Sequence, residues 1–174
     1  MNVDTLLARY AAGDRDFSNV ELSGANLAGA KLSGINLIRA NLAHTILRNA
    51  NCSGAFLILA DLREADLSGA ILIVVNFSGA NLQKANLSHS KLTEAILTGT
   101  WLQRANLTSA NLTGAILAGA NLIEANLQKA DLRGANLYGA DLRKADLTDA
   151  NITHANLRGA NLDGAIMPTQ VITV

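Results

Sequence analysis

The sequence predicts an all-β fold wound as a solenoid and opened by one short helix. Three observations carry this. First, a large apolar residue returns every fifth position without a slip, from Phe17 through Leu22 and Leu27 to Leu162 and Met167. Of these 31 central positions 26 are Leu, and the others are Phe17, Cys52, Phe77, Ile152 and Met167. Second, the position two before the centre is Ala in 24 of the 31. Third, the residue between them is mostly Asn or Asp, as in Asn121, Asn126 and Asp131, and the two residues after the centre are mostly polar or Gly. A period of five fits neither the 3.6 of a helix nor the 2 of a regular strand. Each unit is therefore its own small piece, and stacked pieces share one core.

The helix belongs to residues 1–14. Asp4 is placed to cap its N-terminus, Leu6, Leu7 and Tyr10 share a face over residues 4–12, and Gly13 can end it. A helix this short does not hold itself in water, so it is expected to dock on the open first coil around Phe17 and Leu22.

From Arg15 to Met167 the spacing sets direction. Ala120 and Leu122 are two residues apart, so extended chain puts both on one side and Asn121 on the other. The two residues that follow make a corner, where Gly tolerates unusual dihedrals and Asn or Asp can bond nearby backbone. With aromatics at only 3%, the interior is expected to be small-celled and aliphatic. Thr45, Ser90 and Thr100 place hydroxyls on the inside, and each needs a backbone partner. Cys52 stands where Leu would, as a small buried apolar residue. As the sole cysteine it forms no intramolecular disulfide and lends secretion no support. Pro168 ends the repeat, and the β-branched tail over 168–174 is expected to cover the last coil, pair with another subunit, or stay without order.

The run Ala105-Asn106-Leu107-Thr108-Ser109-Ala110-Asn111-Leu112 resembles the pentapeptide-repeat family, A(D/N)LXX, and the likeness covers residues 15–167. The opening stretch from Leu6 to Leu22 is similar to the helical cap of cyanobacterial members. The resemblance implies a right-handed quadrilateral β-helix with four units to a coil. The 31 units would then make a little under eight coils, a rod about 37 Å long at ~4.8 Å per coil.

On four faces the search for chemistry is short. His44, His89 and His154 fall on three different faces, so no two could ligate one metal or complete a nucleophilic site. Asp141 and Asp146 centre on neighbouring faces, and no Gly-rich phosphate loop is present. No catalytic residue, cofactor or metal is expected. Charge balances at 14 against 14, with pI near 6.8, which disfavours a nucleic-acid binder. No signal peptide or membrane span is visible, so the expectation is a cytoplasmic protein without a membrane partner.

Two faces stand out. The one centred on Leu22, Leu42 and Leu62 carries a mixed-sign ladder at its corner, His44, Glu64, Lys84, Arg104, Glu124 and Lys144, with Trp101 outward near Ile123. The one centred on Phe17, Leu37, Leu57, Phe77, Leu97 and Leu117 directs Ile38, Phe56, Ile58, Leu59, Ile96, Ile116 and Tyr138 outward, where this chain normally has polar residues or Gly. Ile71, Ile73 and Val74 continue it around the corner. Such clustering suggests a contact site. The sequence thus points to a non-catalytic interaction surface or scaffold for a protein of unknown identity, as a monomer or a weak homodimer through the C-terminal end. The family resemblance alone implies an alternative, a DNA mimic that binds a type II topoisomerase (gyrase). That needs a strongly negative rod, and the neutral balance argues against it.

Overall fold

Each five-residue unit brings five backbone N–H groups, and where they go explains the consensus. In the unit 105–109 of the computed structural model, Ala105 N donates to Leu102 O of the preceding unit at 3.0 Å. Asn106 N donates to Ala85 O one circuit below, at 2.9 Å, while Leu107 N and Ser109 N donate to Asn126 O and Gln128 O one circuit above, at 2.7 and 2.9 Å. The fifth donor, Thr108 N, meets the side chain of Asn106, whose Oδ1 accepts at 3.1 Å. Every unit with Asn or Asp before the centre repeats this bond, from Asp16 and Ser18 to Asn161 and Asp163. The Asn/Asp preference thus reflects this hydrogen bond, while the corner itself forms without it, as at Leu59, Val74 and Arg104.

The structure describes residues 1–169. Parallel bridges join each outward strand residue to the one 20 positions on, from Asp16 and Asn36 to Asp146 and Ile166, so four five-residue units complete one circuit. At every corner the second residue has positive φ, from Asn19 to Gly164, which makes the corner a type II turn. All three histidines occupy this corner position, as do Asn19, Asn49 and Asp149, residue types that tolerate the left-handed region. That accounts for the histidines without a ligand.

Inside, the Leu and Ala rings are buried, and Cys52 among them is 3% exposed. Burial pushes its thiol pKa up to about 12. The interior hydroxyls find backbone partners as their burial requires: Thr45 to Leu42 O and Ser90 to Leu87 O at 2.7 Å, Thr100 to Phe77 O at 2.9 Å. In the last circuit Ile152, Leu157, Leu162 and Met167 are only half-buried, because no described residue stacks on them. Pro168 is buried, and residues 170–174 of the expected tail lie outside the described residues.

Helix α1 spans Val3–Ala11 and closes the other end. Its N-cap is Asn2, whose Oδ1 accepts from Thr5 N at 2.8 Å, rather than Asp4, which sits in the first turn. Gly13, at φ +100°, ends it with a Schellman pair: Asp14 N to Arg9 O and Gly13 N to Tyr10 O. The buried face is Val3, Leu6 and Tyr10, at i, i+3 and i+7, whereas Leu7 points to solvent. Earlier start and heptad spacing explain the shift. Tyr10 Oη donates to Ser33 O at 2.8 Å, and the Arg9 guanidinium lies over the Phe17 ring, tying the cap to the first circuit.

Candidate interaction surface

The side of the solenoid centred on Leu37, Leu57 and Leu97, here face 1, presents two outward columns. Bridges order the first as Asn36, Phe56, Asn76, Ile96, Ile116 and Asn136. The second holds the residues after each centre: Ile38, Ile58, Ser78, Thr98, Ala118 and Tyr138. Phe56, Leu59, Ile116 and Tyr138 are exposed, while Ile38, Ile58 and Ile96 are half-buried. Asn76 separates Phe56 from Ile96, so the apolar residues form a lower group (Ile38, Phe56, Ile58, Leu59) and an upper group (Ile96, Ile116, Tyr138).

Replacing Asn or Asp with an apolar residue removes the acceptor for the fifth N–H. Among the described residues nothing replaces it at Ile58, Thr98 and Ala118, which follow Phe56, Ile96 and Ile116. Ile73, after Ile71, is in the same position around the corner. A further cost falls on the same circuit. Leu59 and Val74 hold φ of +57° and +56°, where a bulky or β-branched residue is an outlier, and both are half exposed. Leu59 leans over Gly79, where an added Cβ would come within 2.8 Å of its Cδ2. The spacing rule places all of these residues outward, but it does not disclose the unfilled donors or the strained corners.

The neighbouring face carries the charges. Lys84 Nζ lies 3.3 Å from Glu64, and Arg104 Nε lies 2.7 Å from Glu124. Reading by corners misses further pairs: Arg63 and Arg143 on this face, and Arg133 on the face centred on Leu132, each fork onto the Asp two residues before, with shortest contacts of 2.6 to 2.7 Å. The repeated Asp-Leu-Arg triplet is the signal, since residues two apart in extended chain project together. These guanidiniums hold the carboxyls of Asp61, Asp131 and Asp141 below the ordinary value. Trp101, 52% exposed, stands between Asn81 and Asn121. Ile123, two residues after Asn121, lines a shallow depression with Gln83, Lys84, Gln103, Arg104 and Glu124, apart from the apolar residues of face 1. Among the described residues, no three His, Cys, Asp or Glu side chains gather as metal ligands, and no helix is long and apolar enough to cross a membrane.

Comparison with known proteins agrees with this architecture. A family model described as pentapeptide repeats matches in eight copies between residues 16 and 167. The crystal structure of HetL, a pentapeptide repeat protein involved in heterocyst differentiation regulation from the cyanobacterium Nostoc sp. strain PCC 7120, is 32% identical over 99% of this chain and 100% of its own, with a TM-score of 0.47. Rfr23, from the cyanobacterium Cyanothece 51142, is 26% identical over 94% of this chain and 98% of its own, with a TM-score of 0.41. Trypsin-treated QnrB1, a plasmid-mediated fluoroquinolone resistance protein, superposes with a TM-score of 0.70 at 21% identity, over 90% of this chain and 86% of its own. No curated protein sequence matches. The fold is a right-handed β-helix solenoid with one short helix, and the chain belongs to the pentapeptide-repeat family.

Proposed function

We propose that this chain is a non-catalytic scaffold that binds a protein partner through face 1, with Phe56, Ile58, Ile96 and Ile116 as the contact. In this reading residues 1–14 are the cap, residues 15–167 a rod of about eight coils at ~4.8 Å each, and the tail begins at 168. The observation that carries the proposal is that apolar side chains and unfilled donors coincide three times on one face, whereas the unfilled donors of Ser23, Ser33, Thr93 and Gln103 on other faces follow Glu21, Lys31, Lys91 and Trp101. Phe56, Ile96 and Ile116 each expose an apolar surface and also leave a donor without its local acceptor. Scattered surface Ile or Phe residues need no explanation, but repeated substitution at one structural position along one face does.

Affinity capture with the wild-type chain and with Phe56→Asp/Ile96→Asp tests it. The Asp side chains restore the acceptor that the fold uses elsewhere, so the variant is expected to fold. A specific partner held by wild type and lost by the variant is the expected result. Unchanged partners would remove the apolar face from consideration. A topoisomerase-binding DNA mimic has no comparable support, since 14 positive side chains balance 14 negative ones and the charged face mixes both signs.

A further inference from the structure

Face 1 is uncharged over most of its length. From Phe56 to Asn156 its two outward columns and their corner carry no Asp, Glu, Lys or Arg. Arg39 stands at the lower end, directly beneath Leu59, and Arg158 at the upper end, two circuit positions beyond Ala118 in the same column. These two differ from the chain's other arginines. Arg9, Arg48, Arg63, Arg104, Arg133 and Arg143 all contact carboxylates, and Arg15 donates to backbone carbonyls. The guanidinium groups of Arg39 and Arg158 have no hydrogen-bond or ion-pair partner among the described residues.

Dimensions limit what can lie there. The face is about 10 Å wide, three extended residues, and six circuit steps of ~4.8 Å give about 29 Å between the arginines. That is roughly 300 Å² per partner, well short of the ~800 Å² of a stable dimer, so a second copy gains too little from this face alone. A helix would arrive with its carbonyls already bonded to its own N–H groups. The donors at Ile58, Thr98 and Ala118 call for free acceptors, which an extended chain brings. The corner beside them is bare backbone from Gly79 through Gly99, Gly119 and Gly139, though other corners hold Lys, Glu or Arg at the same φ. Close approach is therefore open from Gly99 upward, whereas Leu59 overlies Gly79 at the lower end.

We infer that face 1 receives one extended, apolar segment of a partner protein, about nine residues long at ~3.3 Å each, with a carboxylate at each end that pairs with Arg39 and Arg158. This rests on face 1 being the contact surface and names what occupies it.

The test is calorimetric titration of the full chain with a synthetic peptide of about eleven residues, alternating valine and threonine with a glutamate at each end, against the same peptide ended by lysines. Two terminal ion pairs predict about tenfold tighter binding of the glutamate peptide. Arg39→Glu/Arg158→Glu is expected to invert that preference; glutamate is tolerated at the positive-φ position of Arg39, as at Glu64 and Glu124, and an acidic residue at the position of Arg158, as at Asp163. The amide resonances of Ile58, Thr98 and Ala118 should move on binding. Equal affinity for the two peptides overturns the inference. So does binding only to anionic phosphatidylglycerol vesicles, or self-association of the chain in place of peptide binding. If the charge-reversed protein keeps a partner that Phe56→Asp/Ile96→Asp loses, the contact surface stands and the extended, acid-ended occupant falls.

Discussion

A single oxygen atom completes the hydrogen bonding of most units. Asn126 Oδ1 accepts from Gln128 N at 3.0 Å and makes no other side-chain bond. Asn126→Ala should therefore cost about 1 kcal/mol, read as a lowered urea midpoint. If the midpoint does not move, the side chain is not the acceptor the fold depends on. Val74 illustrates the opposite case. It holds φ +56° with 51% of its surface exposed, and a β-branched residue there costs about 1–2 kcal/mol that Asn largely avoids. Val74→Asn should raise the melting temperature. The same change should weaken partner binding if this corner belongs to the contact. The sequence reveals that Val74 faces out, because the period of five assigns directions. It does not reveal the dihedral, which depends on how the corner is built.

At the level of elements, the cap helix and the charged strands each make a separable contribution. Leu6 is fully buried against the first circuit, and Leu6→Ala should cost about 2–4 kcal/mol. Since each circuit touches only its neighbours, the loss should stay local: amide exchange rises at Leu22 and Leu27 while Leu107 is unaffected. Uniform acceleration along the chain would mean that the array opens as one cooperative body. The Asp-Leu-Arg strands respond to pH. Asp61, Asp131 and Asp141 have folded-state pKa values lowered from 3.8 by bonds to Arg63, Arg133 and Arg143. Their stabilisation is present above the unfolded value of about 4 and is lost as pH falls through the lowered folded value. Substituting all three with Asn should flatten the acid limb of a stability–pH profile measured in urea. The cap was readable from Gly13 and the helical spacing, but not its true first residue. Asn2 and Asp4 both have capping side chains, and only the fold decides between them.

Across the whole molecule, alternation of inward Ala and Leu with outward Asn and Asp was readable from the sequence because it is strictly periodic. The number of units in a circuit was not, since a corner after every unit is compatible with several closures until the bridges between residues 20 apart fix four. Nor was face 1 readable as a site with unfilled donors, because hydrogen-bond accounting needs the circuits above and below. Position along the rod should govern sensitivity: Leu107→Lys buries a charge between stacked circuits, whereas Leu157→Lys places it in the half-buried last one. The first should abolish cooperative unfolding as followed by circular dichroism, and the second should only lower its midpoint. Cys52, its thiol kept protonated by burial, should resist alkylation until the surrounding circuits open.

The central claim is that face 1 joins exposed apolar residues to three donors without the Asn or Asp acceptor, at Ile58, Thr98 and Ala118; elsewhere the donor lacks that acceptor at Ser23, Ser33, Arg48, Ile73, Thr93 and Gln103, spread over the other three faces. Amide hydrogen exchange of the free chain, resolved by residue, measures this directly. Thr108 and Gln128 should exchange slowly, and Ile58, Thr98 and Ala118 should exchange fast, though all occupy the same structural position. Equal protection at the two sets would mean that face 1 is a finished surface with its backbone already satisfied, and the contact site would lose its main support.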